Sequence, residues 1–284
     1  LMYPPKFEYY RAGSVEEAVS LLQQHGGKLL AGGHSLLPVM NLRLADPGVL
    51  VDIGRIDGLA EISANGRVQI GALTTHATVA RATHVPQVVA EAAGQIGDPQ
   101  VRNRGTVGGN VAHADPASDM PTVFMALRAT FHITGPSGTR TVAADDFFVD
   151  LFTTALADNE VLTAVSVPTE GANTGSAYQK LFNPASRYAM VGAAAQLTLD
   201  GDRCTAAGVA VGGLTPKATR AAAVEAALVG QTLNPDRIAA AAAAIADDLG
   251  GEVLGDIHAS AAYRRQMAPV FVRRALETAV ARAR

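Results

Sequence analysis

The sequence contains one cysteine, Cys204, and no tryptophan, and only 5% of its 284 residues are aromatic. A single thiol cannot form a disulfide within the chain, and it cannot supply the thiolates that hold an iron–sulfur cluster. Any such cluster that works with this protein must therefore belong to another polypeptide.

Long apolar runs and an excess of charge are also missing. No apolar run reaches the ~18 to 20 residues that cross a bilayer, and the start, LMYPPKFEYY, lacks the features of a signal peptide. The 23 basic and 26 acidic residues give a formal net charge of −3 and form no basic stripe. We therefore expect a cytoplasmic protein with no transmembrane segment and no nucleic-acid partner.

The remaining composition, 48% hydrophobic, is typical of a globular chain with about two domains. Ser14 and Glu17 form a capping-box pattern ahead of apolar residues at helical spacing, which predicts a helix there. Short apolar runs at Lys28–Ala31 and Val49–Ile53 predict strands. We therefore expect residues 1–57 to form a first lobe of strands and a helix.

A second lobe is expected over residues 58–172, with strands that include Val68–Gly71, Ala129–Thr134 and Val161–Val167. The pattern then changes to three apolar segments joined by turns, namely Ser176–Phe182, Val191–Leu199 and Cys204–Val211. Three Ala-rich helical segments follow. The expected fold class is α+β, in which residues 173–284 form a C-terminal α+β domain with a three-stranded antiparallel sheet and helices.

Two loops carry paired glycines and are the candidate functional segments. The first runs from Ala31 to Leu36 with the sequence AGGHSL, and the second runs from Gly105 to Asn110 with the sequence GTVGGN. Adjacent glycines let a backbone turn and bring several amides close to an anion, and each loop adds a hydroxyl. Each could also be an ordinary turn, but two such loops could hold the two phosphates of a dinucleotide.

Neither loop has the spacing of a Rossmann fingerprint or a P-loop, so any dinucleotide is expected in a different fold. The segment His113–Asp119 has one His and two Asp residues, but it lacks a third ligand at convincing spacing, and we predict no metal site. Asp119 precedes an apolar run and is interpreted as a helix-start residue or an acceptor for a ligand hydroxyl. Residues 263–265, Tyr-Arg-Arg, are interpreted as a solvated helix face rather than a partner contact.

Taken together, the two loops resemble those of the FAD-binding medium subunits of molybdenum hydroxylases, the family of xanthine dehydrogenase and aerobic carbon monoxide dehydrogenase. The sequence from Ala31 to Pro38, AGGHSLLP, is similar to the first flavin loop of the family, and Thr106–Asn110, TVGGN, differs from its second by one conservative change. His34 and the segment MNLRL that follows are most similar to carbon monoxide dehydrogenase medium subunits.

The resemblance implies a two-lobed FAD-binding fold similar to that of vanillyl-alcohol oxidase, and it extends the set of candidate cofactor contacts beyond the loops. The expected contacts are Ala31, Gly32, Gly33, His34, Ser35, Leu36, Thr75, His76, Ile96, Gly105, Thr106, Gly108, Gly109, Asn110, Asp119, Leu162, Lys180 and Tyr188. Arg187 stands where the family commonly has an acidic residue. No residue is expected to act as a catalytic acid, base or nucleophile, because the cofactor carries the redox chemistry.

By the same resemblance, the chain is expected to be an oxidoreductase subunit in a dimer of heterotrimers. The implied partners are a large molybdopterin-binding subunit and a small subunit with [2Fe–2S] clusters, and the implied acceptor of electrons is external, such as a quinone. The complex could then attach the chain peripherally to the inner membrane. Alternatives are another molybdenum hydroxylase (for an aldehyde, xanthine or an N-heterocycle), a self-sufficient flavin oxidase with a covalent link at His34, and a scaffold that has lost its flavin.

Overall fold

In the computed structural model, which describes residues 3–284, the chain begins with a small parallel sheet in the order β1-β3-β2. Its elements are β1 (Glu8–Arg11), α1 (Val15–His25), β2 (Lys28–Leu30), α2 (Leu36–Asn41) and β3 (Val49–Asp52). The predicted helix start is confirmed, because Ser14 Oγ accepts from the Glu17 amide at 3.1 Å. Glu17 Oε2 reaches back to the Gly13 amide at 2.7 Å, one residue before the Ser14 amide that a capping box would use. The first glycine loop thus lies between a partly buried parallel edge strand and a short helix.

The next part of the chain is built on a five-stranded antiparallel sheet in the order β4-β5-β10-β6-β7. Its strands and helices are β4 (Ile62–Asn65), β5 (Arg67–Gly71), α3 (His76–Val79), α4 (Gln87–Gln95), α5 (Pro99–Arg104), α6 (Val107–His113), α7 (Asp119–Ala126), β6 (Thr130–Gly135), β7 (Gly138–Ala143), α8 (Ala144–Phe147), β8 (Phe148–Asp150), β9 (Thr153–Thr154) and β10 (Val161–Pro168). The second glycine loop connects α5 to α6.

The last part of the chain is an antiparallel sheet followed by helices. Its elements are β11 (Thr174–Phe182), β12 (Ala189–Asp200), β13 (Arg203–Gly212), β14 (Thr219–Arg220), α9 (Ala222–Leu228), α10 (Pro235–Ala243), α11 (Ile245–Asp248) and α12 (Ala261–Ala283). The α+β class is confirmed, but the sheet has four strands rather than the predicted three, because β14 pairs with β13. Two residues are too few to give a periodic sequence signal. Four helices follow instead of three, because the predicted alanine-rich run Ile238–Ile245 is divided between α10 and α11.

Glycines let the C-terminal sheet approach α7 closely. A Cβ atom at Gly208 would lie 2.1 Å from the Ala126 carbonyl oxygen, and one at Gly212 would lie 2.0 Å from Thr122 Oγ1. Both distances are far below any real contact, so only glycine permits this packing. Because α7 begins at Asp119, the sheet lies directly behind that residue.

Arg264 corrects one prediction. Its side chain is buried, and its guanidinium donates to the carbonyl oxygens of Met190 at 3.0 Å and Gly213 at 2.6 Å and pairs with Asp256 at 2.5 Å. The residue therefore ties α12 to the end of the sheet instead of lying on a solvated face. Its neighbour Tyr263 does remain partly exposed.

Within residues 3–284, every helix is too short or too polar to span a lipid bilayer.

Candidate cofactor site

A cavity of about 720 Å³ lies where the parallel sheet, the antiparallel sheet and the C-terminal domain meet. That volume is in the range of small-molecule and cofactor sites. Sixteen of the eighteen residues predicted to contact the cofactor line it, and the exceptions are Thr75 and Lys180. The structure therefore brings together residues that are separated by more than 150 positions in the sequence.

The first glycine loop offers free backbone donors to this cavity. Within residues 3–284, the backbone amides of residues 33–36 have no hydrogen-bond acceptor. Gly33 has a φ of 74°, a conformation that side chains with a Cβ rarely adopt, and this lets the chain turn from β2 into α2. A run of unpaired amides at such a turn is suited to an anion such as a diphosphate.

The two glycine loops touch each other. A Cβ atom at Gly32 would lie 2.2 Å from the Arg104 carbonyl oxygen and 3.0 Å from the Cα of Gly105, so the backbones are in direct contact. His34 Nε2 lies 3.2 Å from the carbonyl oxygen of Gln100, at the start of the same neighbouring segment. Loops about 70 residues apart in sequence thus form one continuous wall.

The amides of residues 107–110 in the second loop are used inside the protein. The Val107 amide donates to the Thr74 carbonyl oxygen at 2.9 Å, and the Gly108 amide donates to the Ala72 carbonyl oxygen at 2.8 Å. The next two amides, of residues 109 and 110, donate to the hydroxyl and the carbonyl oxygen of Thr106. A Cβ at Gly108 would lie 2.5 Å from the Cβ of Ala72. This glycine pair therefore permits close packing of α6 rather than presenting amides.

Two side chains supply the free polar atoms on this side of the cavity. Asn110 Oδ1 and His76 Nδ1 are buried and have no hydrogen-bond partner within residues 3–284, and both residues line the cavity. Buried polar atoms without a partner cost free energy, so they indicate where a polar ligand binds. Together with the free amides of the first loop, they fit a dinucleotide with hydroxyl, amide and phosphate groups.

His76 connects the cavity to the second loop. Its amide donates to the Gly105 carbonyl oxygen at 3.0 Å, and its ring packs against the space where a Cβ of Gly105 would lie. Burial, with smaller contributions from the charges of Arg102 and His34, lowers the pKa of His76 to about 4. The imidazole is therefore neutral at physiological pH and can both donate and accept a hydrogen bond.

Asp119 lines the opposite part of the cavity and is held from behind by the C-terminal sheet. Lys180 Nζ lies 2.9 Å from one carboxylate oxygen, and the Tyr178 hydroxyl donates to the carboxylate at 2.6 Å. Burial raises the pKa of Asp119, and both partners oppose that rise because they stabilise the charged form. Burial likewise lowers the pKa of Lys180, and the Asp119 carboxylate opposes that change.

Lys180 lies behind the cavity wall rather than in it. In addition to Asp119, its ammonium donates to the carbonyl oxygens of Gln95 at 3.1 Å and Arg187 at 2.7 Å. These three acceptors use all three ammonium hydrogens. The lysine therefore fastens three segments together behind Asp119, and its positive charge is balanced by that carboxylate.

Arg187 departs from the family pattern, and the structure shows how the loop accepts it. Its guanidinium lies 4.9 Å from the centre of the Phe182 ring, and the backbone at Arg187 is left-handed with a φ of 62°. Lys180 donates a hydrogen bond to the backbone carbonyl oxygen of Arg187, so this contact does not involve the arginine side chain. The next residue, Tyr188, is partly exposed and lines the cavity, and burial raises the pKa of its phenol, as do the carboxylates of Asp115 and Asp119.

The other predicted contacts have simpler surroundings. Ile96 and Leu162 are buried and line the cavity with apolar surface. Thr75 caps α3 by accepting from the Thr78 amide at 3.2 Å, and it lines a smaller cavity of about 350 Å³ on the other side of the glycine loops. The ring of His113 packs against that of Phe152, with 5.2 Å between the ring centres. No cluster of metal-ligating side chains occurs in the described part of the chain.

Sequence reasoning missed Tyr178 and Phe152. Tyr178 shares one face of β11 with Lys180, two residues away, so strand alternation could have indicated it. Phe152 lines the cavity and has a φ of 51°, which is unusual for an aromatic residue, but a short hairpin gives no periodic signal.

Comparisons with known proteins agree with this geometry. The family model of the FAD binding domain in molybdopterin dehydrogenase matches residues 5–170, and that of the CO dehydrogenase flavoprotein C-terminal domain matches residues 176–279. The chain is 42% identical to the carbon monoxide dehydrogenase medium chain of Hydrogenophaga pseudoflava, over 99% of both chains. It is 38% identical to the nicotine 6-hydroxylase medium subunit of Paenarthrobacter nicotinovorans, over 98% of this chain and 99% of that subunit.

A solved structure of the Hydrogenophaga pseudoflava carbon monoxide dehydrogenase superposes with a TM-score of 0.95 at 43% identity and covers 99% of both chains. The similarity thus extends over both matched domains and over the cavity between them. The chain belongs to the family of FAD-binding medium subunits of molybdenum hydroxylases.

Proposed function

We propose that this chain holds FAD noncovalently in the 720 Å³ cavity and is the electron-transfer subunit of an aerobic carbon monoxide dehydrogenase. The observation that carries the proposal is that the two glycine loops form one wall of a single cavity with Asp119 and Tyr188. The 42% identity to a carbon monoxide dehydrogenase medium chain supports the choice of complex.

Different groups of the chain would bind different parts of the cofactor. The free amides of residues 33–36 would donate to the diphosphate, and the side chains of Asn110 and His76 would bond polar atoms of the bound cofactor. Asp119 would accept a hydrogen bond, while Ile96 and Leu162 would cover apolar ring surface and exclude water. Ala31, Gly105 and the other predicted contacts that line the cavity would shape its wall, whereas Thr75 and Lys180 lie outside it.

Bound FAD would supply the capacity to accept single electrons and to deliver two. The protein's part is to orient the cofactor and to set its electrostatic surroundings. Because the charge of Lys180 is balanced by Asp119, the free amides, the Asn110 side chain and the neutral His76 would be the main polar influences on the cofactor. No side chain of the site is proposed to act as an acid, base or nucleophile.

The proposed partners follow from the family. A large subunit with molybdopterin would oxidise the substrate, a small subunit with [2Fe–2S] clusters would relay electrons to this chain, and an external acceptor such as a quinone would receive them. We propose that the complex is a dimer of heterotrimers in the cytoplasm. This chain would be peripheral to the inner membrane and would associate with it only through the complex.

The proposed organisation of the chain is a first lobe at residues 1–57, a second at 58–172 and a C-terminal domain at 173–284. Sheet membership supports it, because β1 to β3, β4 to β10 and β11 to β14 belong to different sheets, apart from the small β8-β9 pair. Limited proteolysis would be expected to cut first near residues 169–173, between β10 and β11.

The experiment is to purify the chain with its partners, release the chromophore with acid and identify it. We expect one noncovalent FAD per chain, with iron and molybdenum in the co-purifying polypeptides, and reduction of the visible flavin band when carbon monoxide is added. Reduction by nicotine or another N-heterocycle instead of carbon monoxide would assign the chain to that branch, which the 38% identity to the nicotine enzyme also permits. Covalent flavin in a lone chain would indicate the oxidase, and an intact complex without flavin would indicate the scaffold.

A further inference from the structure

Asp119 is the charged residue of the cavity wall that is most completely enclosed by other side chains. It is 4% exposed, and its carboxylate has Lys180 at 2.9 Å and the Tyr178 hydroxyl at 2.6 Å. Both partners come from one face of β11, because residues two apart in a strand point to the same side. The C-terminal domain thus supplies the support for a residue of the cofactor-binding region.

The fold makes room for the Tyr178 hydroxyl. Gly192 lies on β12 directly opposite Lys180, and a Cβ atom there would be 2.6 Å from the Tyr178 hydroxyl oxygen. Any larger residue at position 192 would push the phenol away from Asp119. The position of the hydroxyl therefore depends on a glycine in the neighbouring strand.

The backbone around Tyr178 is anchored to the cofactor-binding region as well. Its amide donates to the Glu91 carboxylate on α4 at 3.1 Å, and the hydroxyl of Ser176 accepts from the Val88 amide at 3.1 Å. Lys180 donates to the Gln95 carbonyl oxygen at the end of the same helix. Three alternate residues of one strand, all buried on the face towards the cofactor-binding region, thus fix the strand against α4.

From this arrangement we propose that Tyr178 is a positioning residue for the cofactor. Its hydroxyl holds Asp119 in one orientation, with the carboxylate available to an N–H or O–H group of bound FAD. The inference rests on the proposed function, because it assumes that FAD occupies the cavity that Asp119 lines. Tyr178 itself does not line the cavity and acts through Asp119.

The chemistry of the residue favours this role over plain packing. A phenylalanine would fill the same apolar space, while a buried hydroxyl needs a partner and adds a cost if it lacks one. Here the partner is a charged group, which makes the hydrogen bond stronger than a neutral one. The hydroxyl therefore stabilises the charged carboxylate of Asp119 in the position where the bond is made.

The test is the substitution Tyr178→Phe in the intact complex, with Tyr263→Phe as the matched control. Tyr263 is in the same domain and is 44% exposed, so its variant loses a hydroxyl without touching the cavity. We expect FAD to dissociate about tenfold faster from the Tyr178 variant, which corresponds to about 1.4 kcal/mol, and the control to stay within twofold of the unchanged protein. The release is followed as the rise of free-flavin fluorescence.

A double-mutant cycle separates positioning from a loss of stability. If Tyr178 acts through Asp119, then Tyr178→Phe loses most of its effect on FAD release when Asp119→Asn is already present. Gly192→Ala is expected to accelerate release like Tyr178→Phe, because it displaces the same hydroxyl. FAD release from Tyr178→Phe that matches the control, or effects that add fully in the cycle, would overturn the inference. Absence of FAD from the unchanged complex would instead overturn the proposed function.

Discussion

Residues 31–36 and residues 105–110 both carry paired glycines and a hydroxyl, yet they differ in whether their backbone amides form hydrogen bonds within the protein. In the first loop the amides of residues 33–36 have no acceptor in the described chain, while in the second loop the amides of residues 107–110 all donate within the protein. The first loop has a glycine with positive φ, and the second has one whose Cβ would collide with Ala72.

The difference shows that a pair of glycines has two physical uses. It can free a backbone to turn and expose amides, or it can remove side chains so that two backbones pack closely. In the first loop, Gly33 allows the turn that leaves amides unpaired, while Gly32 packs against the backbone of Arg104. In the second loop, Gly108 packs against Ala72, and the side chains of Asn110 and Thr106 are the polar groups that remain. The proposal therefore assigns backbone contacts to one loop and side-chain contacts to the other.

The largest effect is expected from Gly32→Ala, because Gly32 is where the two loops touch. A Cβ there would lie 2.2 Å from the Arg104 carbonyl oxygen, and no side-chain rotation can relieve an overlap with backbone. We expect the dissociation constant of FAD to rise roughly a hundredfold, measured by equilibrium titration. Gly251→Ala is the control, since nothing lies within 4 Å of its Cβ. Full FAD occupancy in the Gly32 variant would show that the contact between loops is dispensable.

The second prediction concerns how the stability of the protein depends on pH through His76. His76 has a pKa of about 4 in the folded chain and about 6.5 when unfolded, so the unfolded state binds more protons between these values. Stability should therefore be full above pH 6.5 and should fall by roughly 3 kcal/mol as pH drops to 4. Denaturant unfolding at several pH values measures the free energy of unfolding, and His76→Gln should remove this part of its pH dependence. An unchanged pH slope in the variant would contradict the burial of a neutral imidazole.

The third prediction compares side chains between the loops. Asn110→Ala should weaken FAD binding about tenfold, because the second loop contributes side-chain atoms and Asn110 Oδ1 is buried without a protein partner. Ser35→Ala should weaken it only about twofold, because the first loop contributes amides that the substitution leaves in place. Titration of both variants with FAD gives the two constants. Equal losses would contradict the division of roles between the loops.

The smallest effect is expected from His34→Ala. The His34 side chain is exposed and makes one hydrogen bond, at 3.2 Å to the Gln100 carbonyl oxygen, so its loss should weaken FAD binding by less than about twofold. The flavin should remain releasable by acid in both proteins. A flavin that resists acid release from the unchanged protein but is released from the variant would reveal a covalent link at His34.

Local sequence signals predicted the local structure well. The N-cap at Ser14, the strands around the first loop and the three long strands of the C-terminal sheet depend on neighbouring residues, and each is confirmed. The α+β class and the membership of the FAD-binding family are confirmed too. The roles of the individual cofactor contacts stay predictions.

Structural features that depend on residues far away in the sequence could not be predicted from it. The strand β14 forms only because β13 is beside it, and Arg264 is buried only because three carbonyl and carboxylate groups from other segments surround it. The free and bonded amides of the glycine loops could not be told apart either, because the acceptors of the Val107 and Gly108 amides lie more than 30 residues away, at residues 74 and 72. The pairing of Lys180 with Asp119 is of the same kind.

The most direct measurement is a crystal structure of the complex with its FAD. We expect diphosphate oxygens within about 3.2 Å of backbone nitrogens in residues 33–36, and the Asn110 side chain within the same distance of a polar atom of the cofactor. A diphosphate held instead by amides of residues 107–110, with the first loop free of contacts, would contradict the central comparison.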